Sequence, residues 1–352
     1  MKKFTTAAVC CFNWFILQRS QLFFYRFACG LIAYNLLVVV WGAFVRASRS
    51  GDGCGDNWPH CGNGGELIPG AASHSAAWIE WTHRASTSVL GPLLLALVIW
   101  AFVSFAKGHP VRKAAIGVII FTAIEAWIGR HLVLNKLVVD NATSQRAFWM
   151  SLHLANILSL FAFLTLTAWW SGGGARWSWK GQGKLGAMWA LCFVGVIALA
   201  ITGALSALGD TLHPVSTLME GVRQDFAAEA SLILRTRPLH PVLATIVSLF
   251  TAWTILITMR ERPTPQIQKM APKVLALLAG QYIFGWWNLL ILAPIWAQLT
   301  HLLLANLLWV GLVLLGAAAM GAKAGVLASS ANEEINENEE VREWSKHAPS
   351  VS

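Results

Sequence analysis

Long runs of apolar residues separated by short polar segments are the dominant pattern along the chain. Eight runs occupy about residues 22–45, 76–105, 114–135, 147–170, 185–206, 238–259, 271–292 and 297–320. An α-helix of about 20 apolar residues spans the hydrocarbon core of a bilayer, whereas a membrane β-barrel shows shorter segments of alternating polarity. The pattern therefore predicts an all-α polytopic membrane protein with eight transmembrane helices.

The composition supports this fold class, and the placement of charge predicts an orientation. Charged residues make up 12% of the chain and hydrophobic residues 56%, whereas soluble domains carry about 25% charged residues. The net charge of +9 does not indicate nucleic-acid binding, because 17 of the 26 lysines and arginines lie on one side of the predicted helices. They occupy both termini and the gaps 106–113, 171–184 and 260–273. By the positive-inside rule we expect a multi-pass protein of the cytoplasmic (inner) membrane with both termini in the cytoplasm.

The two halves of the chain resemble each other. A Gly-Ala pair ends the first and fifth runs, and histidines begin the even-numbered runs, at Gly42 and Gly203, His83 and His240, and His153 and His301. Four helices repeated in one orientation predict two four-helix bundles related by a pseudo-two-fold axis along the membrane normal. The predicted segments are a cytoplasmic N-terminal extension (1–21), an N-terminal bundle (22–171), a cytoplasmic linker (172–184), a C-terminal bundle (185–322) and a disordered acidic tail (323–352).

Four of the ten histidines lie within the predicted spans at matched depth: His83, His153, His240 and His301. A lone histidine inside a membrane is more often a hydrogen-bonded packing residue, but four at repeated positions favour a functional role. Two imidazoles that face each other across a four-helix bundle suit axial ligation of a heme iron. We therefore predict one bis-histidine porphyrin site in each bundle.

The halves differ at the position three residues before the first histidine of each pair. Glu80 precedes His83, whereas Arg237 precedes His240. A carboxylate beside a porphyrin can accept a proton, orient water or stabilise a cation, so Glu80 is the candidate catalytic residue. The alternative is a structural salt bridge to Arg84 or Arg46. Arginines near a heme pair with its propionates, and the candidates for these contacts are Arg46, Arg84 and Arg237.

The predicted outer loop contains two cysteines, Cys54 and Cys61, seven residues apart. Outside the cytoplasm such a pair can form a disulfide that closes a short loop. Its role is either a structural staple or redox exchange.

The order and spacing of these motifs resemble the heme A synthase family from about residue 30 to 320. The first half contains Gly42-x-x-Val45-Arg46, Cys54, Trp58-Pro59-x-Cys61, Glu80-x-x-His83-Arg84 and His153. The second half contains Thr202-Gly203-Ala204, Leu208-Gly209-Asp210-Thr211-Leu212, His240, Gln281 with Gly285, and Pro294 with Gln298 and His301.

The resemblance implies an eight-helix oxidoreductase that converts the C8 methyl of heme O to a formyl group by successive hydroxylations. It implies that the substrate heme lies between His83 and His153, and that the cofactor heme b lies between His240 and His301. Glu80 corresponds to the family's acidic residue. The implied partners are heme O, a heme O synthase, an electron acceptor and membrane lipids, and a homo-oligomer is left open.

Four features depart from the family's pattern. Pro241 follows His240 where the family has an arginine, and Arg130-His131 follows Gly129. Glu125 stands where a glutamine like Gln281 is expected, and no second cysteine pair occurs between Ala207 and Arg237. The main alternative function is a bis-heme b electron-transfer protein without substrate chemistry, and another is a porphyrin-binding assembly protein. Glu80 discriminates between them, because an electron carrier needs no carboxylate beside only one of two matched hemes.

Overall fold

The computed structural model describes residues 2–55, 58–61, 66–70 and 73–347, with side chains between residues 20 and 321 of these ranges. Met1 and residues 348–352, at the ends of the predicted extension and tail, lie outside the described residues. Throughout the described ranges the regular structure is α-helical. The helices are α1 (Lys2–Ala47), α2 (Ser75–Ser104), α3 (Pro110–Leu134), α4 (Ser144–Ser171), α5 (Gly183–Leu212), α6 (Leu218–Asp225), α7 (Leu232–Thr236), α8 (Leu239–Glu261), α9 (Pro265–Leu290) and α10 (Ile295–His347).

The eight long helices of the described part correspond to the eight predicted spans. Seven segments are long and apolar enough to cross a membrane: Ser20–Ala47, Ser75–Ser104, Pro110–Leu134, Ser144–Ser171, Gly183–Leu212, Leu232–Glu261 and Ile295–Gly321. The eighth long helix, α9, is less apolar because Gln281 and Asn288 interrupt its hydrophobic part and Lys269 and Lys273 lie near its start. The protein is therefore a multi-span membrane protein.

The long helices form two four-helix bundles, as the sequence predicted. Helices α1–α4 pack as one bundle, α5, α8, α9 and α10 pack as the second, and α1 and α4 contact α5 and α10 between them. Phe161 and Trp309 belong to a buried cluster that joins the bundles. In the same interface the indole Nε1 of Trp309 on α10 donates to the carbonyl of Leu158 on α4 at 2.7 Å. Equivalent helices of the two halves therefore meet close to the pseudo-two-fold axis.

The repeat extends to the backbone at the helix ends. Helices α3 and α9 both begin with a proline, and both end in a turn whose central residue has positive φ, 54° at Lys136 and 63° at Leu292. The amides after these residues, Leu137 and Ala293, each bond the carbonyl five residues earlier at 2.8 Å, which closes a Schellman motif in both halves.

The terminal helices are longer than the predicted spans. Helix α1 includes most of the predicted N-terminal extension, and α10 continues to His347 through residues for which the acidic composition predicted disorder. No proline occurs between Pro294 and Pro349, and this stretch is rich in alanine and glutamate, which have high helix propensity.

The connections divide the molecule into two ends. The loop end carries the described residues of the α1–α2 connection, the turns 135–143 and 291–294, and residues 213–231, which include the short helix α6. The opposite end carries residues 105–109, 172–182 and 262–264. The four histidines lie in the halves of their helices nearer the loop end, as their matched depth in the sequence predicted.

Candidate functional site

Three of the four site histidines pack directly against a glycine on a neighbouring helix. A Cβ atom built on any of these glycines would lie 2.8 Å from the histidine Cε1, a separation that real side chains do not adopt. The pairs are Gly42 with His83, Gly203 with His240, and Gly285 with His301. The Gly-Ala motif therefore recurs in the sequence because only glycine leaves space for the imidazole.

The second histidine pair has the spacing of a bis-imidazole metal site. The ring centres of His240 and His301 are 6.4 Å apart, with the ring planes nearly perpendicular at 87°. Two metal–imidazole bonds of about 2 Å each, with about 1 Å more from each nitrogen to its ring centre, place such rings roughly 6 Å apart. In the first half, His83 on α2 and His153 on α4 belong to the same bundle.

Polar atoms without partners point to a ligand at both pairs. Among the described residues, His83 Nδ1 and His301 Nδ1 are buried and accept or donate no hydrogen bond. Buried polar atoms are normally satisfied, so such atoms call for an explanation such as a bound group. Together these features fit an iron porphyrin: imidazoles packed against glycines, ring centres of His240 and His301 that are 6.4 Å apart, and nitrogen atoms that can bind iron.

Polar side chains contact three of the histidines, and none of these side chains was predicted to have a role. His153 Nδ1 lies 2.7 Å from Glu125 Oε1, His301 Nε2 lies 3.3 Å from Gln281 Nε2, and His240 Nδ1 lies 3.3 Å from Thr202 Oγ1. The repeat contained the signal for two of them, because Glu125 and Gln281 are separated by 156 residues, as are the final residues of α3 and α9.

Glu80 is buried and engaged by protein groups. Its Oε2 accepts a hydrogen bond from the Cys54 amide at 2.8 Å, and its Oε1 accepts from Arg84 Nε at 3.1 Å. The salt bridge to Arg84 that the sequence left as an alternative is therefore present. Glu80 also lies one helical turn from His83, so the catalytic role stays a prediction.

Cys54 and Cys61 form the predicted disulfide, and both residues are buried. The loop around them packs on the first turns of α2. A Cβ on Gly53 would lie 2.3 Å from the backbone of Ala76, and Arg84 donates to the carbonyl of His60 at 2.8 Å. The disulfide, Glu80 and Arg84 thus hold this loop over the start of α2.

The remaining candidate arginines bind protein groups of the second half. Arg46 donates to the Ala207 carbonyl at 2.7 Å and to Gln298 Oε1 at 2.9 Å. Arg237 is buried and pairs with Asp225 at 2.7 Å and with Asp210 at 3.3 Å. Burial, followed by the charge of Arg237, lowers the pKa of His213, which lies just beyond α5. Propionate contacts by Arg46, Arg84 and Arg237 stay predictions.

Comparison with known proteins agrees with the arrangement of the site. The chain is 38% identical over 299 residues to a protoheme IX farnesyltransferase of Thermus thermophilus, a match that covers 84% of this chain but 49% of that protein. The chain thus spans about half the length of that relative. It is 34% identical over 131 residues to a heme A synthase of Exiguobacterium sibiricum, covering 37% of this chain and 40% of that protein.

A second heme A synthase, of Symbiobacterium thermophilum, is 32% identical over 144 residues, or 41% of this chain and 43% of that protein. The sequence model of the COX15-CtaA family, described as cytochrome oxidase assembly proteins, matches residues 25–313. This range contains all four site histidines, Glu80 and the disulfide, and the resemblance drawn from the motifs is confirmed. The chain belongs to the COX15-CtaA family of cytochrome oxidase assembly proteins.

Proposed function

We propose that the protein is a heme A synthase, an oxidoreductase that converts the C8 methyl of heme O to a formyl group. The observation that carries the proposal is the pair of matched histidine sites. Three of the four imidazoles pack against glycines, and the ring centres of His240 and His301 are 6.4 Å apart. Family membership and the heme A synthases among its relatives support the same function.

The two halves have different proposed roles. His83 and His153 hold the substrate heme O, and His240 and His301 hold a heme b as cofactor. When bound, the cofactor accepts and passes on single electrons. The imidazoles would hold each porphyrin among the helices of its own bundle.

Glu80 is the proposed catalytic residue. Each hydroxylation replaces a C–H hydrogen by hydroxyl from water and releases two electrons and two protons, and loss of water from the doubly hydroxylated carbon leaves the formyl group. Glu80 is one turn from His83, and the Cys54 amide and Arg84 fix its orientation. Its negative charge stabilises an electron-deficient carbon at the porphyrin edge, and its oxygens can take a proton from the incoming water.

The proposal also covers location and partners. The concentration of cations at the opposite end supports an inner-membrane protein with both termini in the cytoplasm. Heme O is a farnesylated heme, so a protoheme farnesyltransferase must supply it, and the reaction requires an electron acceptor.

One experiment separates the candidate functions. The chain is expressed with a source of heme O, and extracted pigments are separated by chromatography; heme A is the expected product. In a parallel reaction, membranes receive heme b and farnesyl diphosphate, because the Thermus relative carries the farnesyltransferase name. Formation of heme O there would indicate a prenyltransferase, and bound heme without either product would indicate an electron carrier.

Single variants test the ligands in the same preparation. His240→Ala and His301→Ala should each abolish the low-spin bis-histidine spectrum of the C-terminal site while the protein still inserts. His74→Ala is the matched control, since this exposed histidine precedes α2 and its side chain makes no capping bond. A low-spin six-coordinate signal retained in both ligand variants would contradict the assignment.

A further inference from the structure

The third helix of each half contacts the histidine of the fourth helix, but the contacting groups differ in charge. Glu125 on α3 contacts His153, and Gln281 on α9 contacts His301. These positions are equivalent in the repeat, since each precedes the end of its helix by nine residues. The asymmetry is therefore a difference in side-chain chemistry within a shared backbone.

The carboxylate of Glu125 has a defined orientation. Its Oε1 lies 2.7 Å from His153 Nδ1. Its Oε2 accepts a hydrogen bond at 2.6 Å from Asn156 Nδ2, which also donates to the Phe121 carbonyl at 2.9 Å. Asn156 is 5% exposed, so it anchors the carboxylate within the bundle. One carboxylate oxygen thus accepts a hydrogen bond from Asn156, and the other lies at ion-pair distance from a site histidine.

The equivalent contact in the second half is neutral. The Gln281 amide nitrogen lies 3.3 Å from His301 Nε2, and the Gln281 Oε1 atom is buried without a partner. None of the ion pairs between described residues joins a carboxylate to His240 or His301. The C-terminal pair therefore lacks the negative charge that faces the N-terminal pair.

A carboxylate that accepts the N–H of a metal-binding imidazole fixes the ring and raises its basicity as a ligand. A more basic axial ligand favours the oxidised iron, so hydrogen bonding to the ligand is one means by which proteins tune heme potential. We propose that Glu125 is a positioning residue that orients His153 and gives the porphyrin iron of the N-terminal bundle a lower reduction potential than that of the C-terminal bundle. This inference rests on the proposed ligation by the two histidine pairs.

The proposed difference in potential has a direction that suits the reaction. An electron shared between the two bundles resides preferentially at the C-terminal site, so electrons released at the substrate edge leave the half that contains Glu80. The two halves are thereby distinguished by Glu125 and Gln281 as well as by Glu80 and Arg237.

The test measures reduction potentials at both sites in detergent-purified full-length protein loaded with heme b. Glu125→Gln should raise the potential of the N-terminal site and leave the C-terminal site unchanged. The reciprocal variant Gln281→Glu should lower the potential of the C-terminal site. Electron paramagnetic resonance of the oxidised protein gives a second readout, because the g-values of a low-spin iron respond to the basicity of its histidine ligands.

The outcomes separate this inference from the proposed function. A wild-type protein without bis-histidine heme in either half would overturn the function and the inference with it. Bound heme in Glu125→Gln with an unchanged N-terminal potential, or an equal shift at both sites, would overturn the inference alone. If Glu125→Gln does not fold, Glu125→Asp decides, because the shorter side chain withdraws the carboxylate from His153. A rise at the N-terminal site supports the inference, and no change overturns it.

Discussion

At the residue scale, the site depends on glycines as much as on histidines. Gly42, Gly203 and Gly285 each leave space that an imidazole occupies. Gly129, which is equivalent to Gly285 in the first half, has no atom within 4 Å of a Cβ built on it. The first half uses the Glu125 side chain instead to position His153. His153 is therefore contacted by Glu125 alone of this pair of positions, whereas His301 is contacted by both Gly285 and Gln281.

This contrast predicts the effect of adding one methyl group. Gly285→Ala should displace His301, because its Cβ would lie 2.8 Å from the ring, and should reduce heme bound in the C-terminal site. Overpacking of this kind costs about 1–3 kcal/mol. Gly129→Ala is the matched control and should bind heme like the wild type. Heme content and the low-spin absorption spectrum provide the measurement, and equal loss in both variants would contradict the packing argument.

Glu80 carries a second prediction at this scale. Glu80→Gln keeps the size of the side chain and an acceptor for Arg84 but removes the negative charge. The variant should still bind porphyrin, because ligation requires only His83 and His153, and should lose about 10²-fold or more in the rate of heme A formation. Pigment analysis should show unreacted heme O or a hydroxylated intermediate. Heme A formation at the wild-type rate would reduce Glu80 to a structural partner of Arg84 and the Cys54 loop.

At the element scale, Glu80 and Arg237 perform a similar structural task at equivalent positions. Glu80 lies in the second turn of α2 and Arg237 two residues before α8. Each binds the preceding connection, Glu80 through the Cys54 amide and Arg237 through Asp225 at the end of α6. Their ion pairs have opposite polarity, since Glu80 pairs with Arg84 whereas Arg237 pairs with Asp210 and Asp225. The side chains of both residues thus join the loop end to the bundle that contains the histidines.

This arrangement predicts that Arg237 contributes strongly to stability. Arg237→Met should leave Asp210 and Asp225 without their ion-pair partner in a poorly hydrated position, and removal of one member of a buried pair costs on the order of 3–5 kcal/mol. Thermal unfolding in detergent should show the loss. Arg235→Met is the control, since Arg235 is exposed and its bonds to other described residues are to the backbone carbonyls of Ala228 and Ala230. Comparable destabilisation by both substitutions would contradict the stabilising role of the Arg237 ion pairs.

The sequence predicts the long helices and the histidines well because both follow from strong physical constraints. Continuous apolar runs specify spans, and a histidine in such a run is conspicuous. The turns at Lys136 and Leu292 were not predictable, because non-glycine residues with positive φ carry no sequence signal. The contact of Arg46 with Gln298 joins residues 252 positions apart and depends on how the two bundles pack.

At the scale of the whole molecule, Arg46 links the two bundles near the pseudo-two-fold axis. Arg46 and Ala207 are equivalent positions, 161 residues apart, and Arg46 donates to the Ala207 carbonyl at 2.7 Å. A residue that contacts its own equivalent must lie close to the axis that relates them. The same guanidinium reaches Gln298, three residues before His301. This hydrogen bond fixes the part of α10 that contains His301 relative to α1 of the N-terminal bundle.

The distribution of charge between the two ends predicts how the molecule lies in the membrane. Of the 26 lysines and arginines, 17 belong to the opposite end or to the termini, and several of the others are buried and paired, as Arg237 is with Asp225. The opposite end should therefore face the cytoplasm and the loop end the outer side. Glu229 at the loop end and Lys180 at the opposite end are both exposed, so they are suitable positions for labelling.

Glu229→Cys and Lys180→Cys are made separately in a variant whose four cysteines outside the disulfide are replaced by alanine. In intact spheroplasts a membrane-impermeant maleimide should label the cysteine at position 229 and spare the one at 180, because only the loop end is accessible from outside. After detergent lysis both should react, which controls for local accessibility. Labelling at 180 but not at 229 in intact spheroplasts would reverse the orientation. It would also place the Cys54–Cys61 disulfide on the reducing side, where its persistence would require another explanation.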